Sequence, residues 1–165
     1  MIDDETLHAL AQKLGKQLVD KKMLMAAAES CTGGWLAKCI TDLDGSSSWF
    51  ECSLVVYHNE VKQGILGVSA KALKDYGAVS QPVVKEMVLG LLDRCNSAIG
   101  VSISGIAGPT GGTENKPVGT VWIAWARPGR VIEAVKFQFS GDREAVRRQA
   151  VYEALNGLLR ILDNG

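Results

Sequence analysis

The feature that most restricts the fold is an alternation of two periodicities along the first two thirds of the chain. Over 4–21, Leu7, Leu10, Ala11, Leu14 and Leu18 recur at helical spacing on one face. A short apolar run at 24–28 follows and predicts a buried strand. Trp35, Leu36, Cys39 and Ile40 then predict a second helix, closed by turn residues at 44–48. Segment 52–57, with Val55 and Val56 at its centre, predicts a second strand, and 61–66 and 70–76 predict short helices. Gln81-Pro82 opens a longer helix that carries Val83, Met87, Val88, Leu91 and Leu92; proline suits its first position. Segment 98–104 predicts a third strand. A loop at 105–117 with four glycines and two prolines leads to two more strands, 118–126 and 131–139, joined at Pro128-Gly129 as an antiparallel hairpin. Asp142 is placed to cap a last helix that runs to about 162. This order predicts an α/β fold: a three-layer α/β/α sandwich with a mixed, mostly parallel five-stranded sheet, in one domain over 1–165.

Composition excludes several functions. Lys plus Arg and Asp plus Glu each number 18, so the net charge is zero. A nucleic-acid-binding surface needs a basic excess. No apolar run approaches the roughly 20 residues of a membrane span, and the acidic N-terminus does not read as a signal peptide. Cys31, Cys39, Cys52 and Cys95 form no C-x-x-C pair, and the histidines are His8 and His58. That inventory argues against a zinc site and for reduced thiols in a cytoplasm.

The stretch Ala28-Glu29-Ser30-Cys31-Thr32-Gly33-Gly34 lies where a buried strand ends and a helix begins. In open α/β sheets ligands bind beyond the carboxyl ends of strands. A helix start offers free backbone N–H groups and a partial positive charge, and Gly33 and Gly34 let a ligand come close to the backbone. Ser30 could attack a carbonyl there while N–H groups near Thr32 and Gly33 hold the oxyanion. The plainer alternative is that Ser30 and Thr32 cap the helix and the glycines turn the chain. Neither a phosphate-binding G-x-x-x-x-G-K-[ST] loop nor a G-x-S-x-G elbow is present. Cys31 is a rival nucleophile, which would need a base or a strongly positive site.

A serine nucleophile needs a base. A histidine triad has little support, with His58 its one plausible member. The segment Tyr57-His58-Asn59-Glu60-Val61-Lys62 offers Lys62, about one helical turn beyond the end of the second strand. Ser-Lys pairs are a known variant. Lys62 would have to be neutral, and burial and nearby cations would push its pKa down. Tyr57 could relay the proton or hold the lysine. The alternative is an exposed lysine on a solvated helix. The glycine-rich stretch beginning Ser104-Gly105 can cradle an anion or be a mobile surface loop. In the last helix, Arg143 and Arg147 fall within about 120° of Val151, Leu155, Leu158 and Leu162 at 100° per residue. They share the line of the core stripe at its N-terminal end, where two arginines could bind a phosphate or pair with Glu29 or Glu86.

Taken together, Ala-Glu-Ser-Cys-Thr-Gly-Gly at 28–34, Gly-Ser-Ser at 45–47, Tyr57, Asn59 and Lys62, Gly-Ala-Val-Ser at 77–80, Ser-Gly-Ile-Ala-Gly-Pro at 104–109, Lys-Pro-Val-Gly-Thr-Val at 116–121 and Gly-Asp-Arg at 141–143 resemble the CinA C-terminal-domain family over nearly the whole chain. The resemblance implies an α/β/α sandwich and a nicotinamide-nucleotide amidase that needs neither metal nor organic cofactor. It implies a small-molecule nucleotide substrate and a homodimer. It implies Ser30 as nucleophile, Lys62 as general base and Tyr57 as assistant. Ser104 stands where members often carry threonine and keeps the hydroxyl. Arg143 matches the Gly-Asp-Arg motif, and Arg147, one turn on, is expected to share the substrate phosphate with it. Larger members carry an additional N-terminal domain whose activities are not carried over. Two other functions fit the residues: a nucleotide-binding module without chemistry, and an amidase that acts on another amide. Trp49 or Phe50 could lie at a dimer contact or in the core.

Overall fold

The computed structural model describes residues 2–164; Met1 and Gly165, the ends of the expected domain, lie outside them. Helix α1 (Asp4–Asp20) is capped by Asp3, whose side chain accepts from Thr6 N–H. Strand β1 (Met25–Glu29), helix α2 (Trp35–Thr41), strand β2 (Phe50–Val55) and helices α3 (Asn59–Leu66), α4 (Ala70–Tyr76) and α5 (Gln81–Leu92) follow. Strands β3 (Ile99–Gly105), β4 (Thr120–Ala126) and β5 (Glu133–Gln138) precede helix α6 (Arg143–Asp163), capped by Asp142 as expected. Each element expected from the sequence is present, with ends displaced by a residue or two.

The sheet runs β2-β1-β3-β4-β5. Strand β1 pairs in parallel with β2 and β3, whereas β3–β4 and β4–β5 are antiparallel. The expectation of a mostly parallel sheet is therefore corrected: the pairings divide equally. The cause lies in the connections. A parallel return needs a crossover, usually helical. The glycine-rich loop after β3 and the turn at Pro128-Gly129 contain no helix, so the chain can only double back.

Side chains alternate between two cores, as strand geometry requires. Met25, Ala27, Val101, Ile103 and Trp125 face α1, α2 and α6. Ala26, Ala28, Ala124 and Ala126 face α3, α4 and α5. The second face is lined by small residues, which brings α5 close to the sheet. Trp49 belongs to the first core at 4% exposure and lies against Gly15 of α1, so it is not a surface contact; Phe50 is partly buried. Among the described residues no helix is long and apolar enough to cross a membrane.

Candidate functional site

Register places the site. Glu29, at the end of β1, pairs with Val55 of β2 and Ile103 of β3. The parallel pairing therefore stops at one level, and Ser30 and Tyr57, just past the ends of β1 and β2, and Ser104, one residue further along β3, lie along one edge, where open α/β sheets bind ligands. Ser30 is tied to that edge by its N–H, which donates to Ile103 O at 3.0 Å.

Lys62 comes to the same point from α3. It shares the buried face of that helix with Leu66 and is only 1% exposed. Its Nζ lies 3.1 Å from Ser30 Oγ and donates to the Tyr57 carbonyl at 2.9 Å. Burial lowers its pKa from lysine's ordinary 10.5, opposed by neighbouring Cys31. Burial alone supplies the downward push; the nearby cations invoked from the sequence are not among its causes. Ser30 and Lys62 open into a cavity of about 270 Å³, which is lined also by Cys31, Tyr57, Asn59, Ala78, Val79, Ser104, Arg143 and loop residues 105–108, 110 and 111.

The rival nucleophile is disfavoured by its surroundings. Cys31 lines the same cavity, but burial pushes its thiol up to about 12. A thiol so placed stays protonated at neutral pH and is a poor nucleophile. All four cysteines are free.

Tyr57 has two roles, neither of them a phenol on the dyad. Its carbonyl holds Lys62, while its hydroxyl accepts from Arg143 Nη2 at 3.0 Å. Arg143 also donates from Nη1 to Gly108 O at 2.7 Å, spanning the mouth of the cavity from α6 to the glycine-rich loop. Ser104 is buried, and its hydroxyl donates to Ala78 O at 2.8 Å. Gly105 lines the cavity as expected.

The turn after Ser30 departs from the sequence reading. Thr32 is wholly buried and its hydroxyl donates to Glu29. Gly33 N–H donates to Ser30 O, and Gly34 N–H to Glu29. Gly33 and Gly34 have φ of 59° and 93°, left-handed values that favour glycine. They line a neighbouring groove with Trp35 and Arg147 rather than the cavity at Ser30. Thr32, Gly33 and Gly34 build the turn and do not line the cavity at Ser30; of the oxyanion donors expected near Thr32 and Gly33, Gly33 N–H is engaged on Ser30 O. Cys31 does line the cavity, and its N–H donates to no other main-chain group among the described residues. Arg147 also lies outside the cavity: its Nε donates to Cys31 O at 3.0 Å and its Nη2 to Thr32 O at 2.9 Å. Neither arginine pairs with Glu29 or Glu86.

The match that decides the family spans nearly the whole fold: the family model described as the CinA C-terminal domain covers residues 7–162. The chain belongs to the CinA C-terminal domain family. Among similar proteins is one of Enterobacter agglomerans named nicotinamide-nucleotide amidohydrolase PncC, 51% identical over 96% of this chain and 97% of that one. A protein of the same name from Escherichia coli strain K12 is 50% identical over 94% of each chain. The crystal structure of a CinA superfamily protein from Klebsiella pneumoniae superposes with a TM-score of 0.92 at 36% identity, covering 96% of this chain and 99% of that one.

Glu29 is the residue of this CinA domain that sequence reasoning undervalued. It is wholly buried, and its carboxyl oxygens accept from Thr32 Oγ1, Ser53 Oγ and the N–H groups of Gly34, Leu36 and Ala37, all within 3.1 Å. It therefore caps α2 from the residue before the serine. The signal was an acidic residue at the end of an otherwise apolar strand. Asn59, Ala78 and Val79 were also missed as lining residues, although the Tyr57, Asn59 and Lys62 pattern and Gly-Ala-Val-Ser at 77–80 contain them.

Proposed function

We propose that this chain is a nicotinamide-nucleotide amidase, a single-domain hydrolase that converts nicotinamide mononucleotide and water to nicotinate mononucleotide and ammonia. The observation that carries the reading is Ser30 Oγ lying 3.1 Å from the Nζ of a buried lysine. The names of relatives at about half identity over nearly their full length support the choice of substrate.

In this reading neutral Lys62 accepts the Ser30 proton as Oγ bonds to the carboxamide carbon. The carbonyl π pair moves onto oxygen, and Cys31 N–H donates to that oxyanion. The intermediate collapses, the C–N bond breaks, and Lys62 returns its proton to the leaving nitrogen as ammonia. Water, deprotonated by Lys62, then hydrolyses the ester and frees Ser30. The Tyr57 carbonyl keeps the amine aimed at Ser30, and Ser104 holds the wall of the cavity through Ala78. Arg143, exposed at the mouth, takes the substrate phosphate. The same reading takes the protein as a cytoplasmic homodimer that works without metal or organic cofactor.

Ammonia release from nicotinamide mononucleotide, nicotinamide riboside and free nicotinamide tests it. The mononucleotide is expected to be preferred over nicotinamide by at least about 10²-fold in kcat/KM, the scale on which polar recognition discriminates. Saturable nucleotide binding without ammonia would make the chain a binding module. Preference for an unrelated amide would make it a different amidase.

A further inference from the structure

We propose that Arg147 is a positioning residue for this reaction, which fixes the turn after Ser30 so that Cys31 N–H is aimed at the oxyanion. The inference rests on the amidase reading for the reaction and on the geometry of that turn for its substance. From one turn into α6, Arg147 reaches the main chain of a distant segment and holds two consecutive carbonyls, Cys31 O at 3.0 Å and Thr32 O at 2.9 Å. Consecutive peptide oxygens turned to one planar fork leave little freedom in the intervening backbone angles. Because the peptide unit is planar, fixing each oxygen also fixes the N–H across the same bond. Ser30 O accepts from Gly33 N–H, which sets the direction of the remaining peptide, the one that carries Cys31 N–H.

The guanidinium is itself held. It lies over the Trp35 ring at 5.2 Å, and Arg148, paired with Asp4 and Glu144, lies over the same ring at 4.9 Å. Glu29 holds the opposite side of the turn through Thr32 Oγ1 and Gly34 N–H. A cation thus holds the turn's carbonyls and a carboxyl group holds its donors, without touching each other. The positive charge of Arg147, held on the carbonyls of this turn, also favours negative charge developing beside it. With Nε and Nη2 engaged on protein carbonyls and the side chain lining the neighbouring groove rather than the cavity, Arg147 is assigned to the turn rather than to the substrate phosphate.

Arg147→Gln and Arg147→Lys, in the full chain, separate these roles. Lysine keeps the charge and loses the two-pronged bridge. Two readouts are needed: kcat and KM for nicotinamide mononucleotide, and the rate at which a fluorophosphonate, which lacks the ribose phosphate, labels Ser30. Ser30→Ala serves as the unlabelled control, and each variant is read well below its melting transition. The expected result is that kcat and the labelling rate fall together, by roughly 10²-fold for glutamine, with KM little changed and lysine restoring only part of the loss. If Arg147→Gln does not fold, the lysine variant decides alone, with a parallel fall in both rates expected. A raised KM with kcat and labelling intact would make Arg147 a phosphate ligand and overturn the proposal, as would no change in any readout. If the wild-type chain releases no ammonia from the nucleotide, the proposed substrate falls while the labelling rates still decide the role of Arg147.

Discussion

At the scale of single residues, the proposed reaction depends on an uncharged amine. Lys62 sits at 1% exposure with two polar neighbours, Ser30 Oγ and the Tyr57 carbonyl. Its lowered pKa gives a pH prediction with a definite sign. The base works when neutral, so kcat/KM should rise with pH along a limb whose midpoint lies below 10.5, and fall on acidification. Linkage gives a companion effect. Between the lowered pKa and 10.5 the unfolded chain binds the proton and the folded chain does not, so stability rises with pH across that window. Lys62→Met should lose activity together with that slope; a variant that keeps the acid limb in kcat/KM would remove Lys62 as base. Sequence brought Ser30, Tyr57 and Lys62 to attention because a strand end and a first helical turn are local features. It could not say that the Tyr57 carbonyl, rather than its phenol, serves the lysine, because that depends on how α3 leaves the sheet. Nor could it assign Arg147, whose partners lie more than a hundred residues away.

At the scale of elements, the position of Lys62 follows from how closely α3 and α5 meet. A Cβ on Gly90 of α5 would fall 1.7 Å from Leu66 O, the last residue of α3. Glycine at 90 lets the two backbones touch, and α3 carries Lys62, the proposed base. Gly90→Ala should therefore cost about 1–3 kcal/mol through overpacking and should also lower kcat by shifting α3, which thermal melts and steady-state kinetics would read together. A variant of wild-type stability and activity would show that α3 moves freely against α5. Such a contact is invisible to periodicity: Gly90 sits within a good helical pattern, where a glycine reads only as a weak point. The helices themselves were legible because their caps and apolar stripes are local. The strand directions are less legible in the sequence, since the β4–β5 hairpin is local whereas the antiparallel pairing of β3 with β4 is made across the long glycine-rich loop.

At the scale of the whole molecule, parallel pairing that stops at one level sets Ser30, Tyr57 and Ser104 along one edge, and α6 returns across that edge with Arg143 and Arg147. Among the described residues, no group of three or more His, Cys, Asp or Glu side chains is placed to hold a metal ion. Ammonia release is expected to be unaffected by a strong chelator; loss of activity restored by a divalent cation would require a metal site outside this arrangement. In the proposed reaction Ser30 carries the acyl group. Ammonia release from nicotinamide mononucleotide by Ser30→Ala, a change that removes one oxygen from a residue with 8% exposure, tests it most directly. No release above the uncatalysed background is expected from a chain that melts like the wild type; turnover close to wild type from that folded variant would remove Ser30 as the nucleophile.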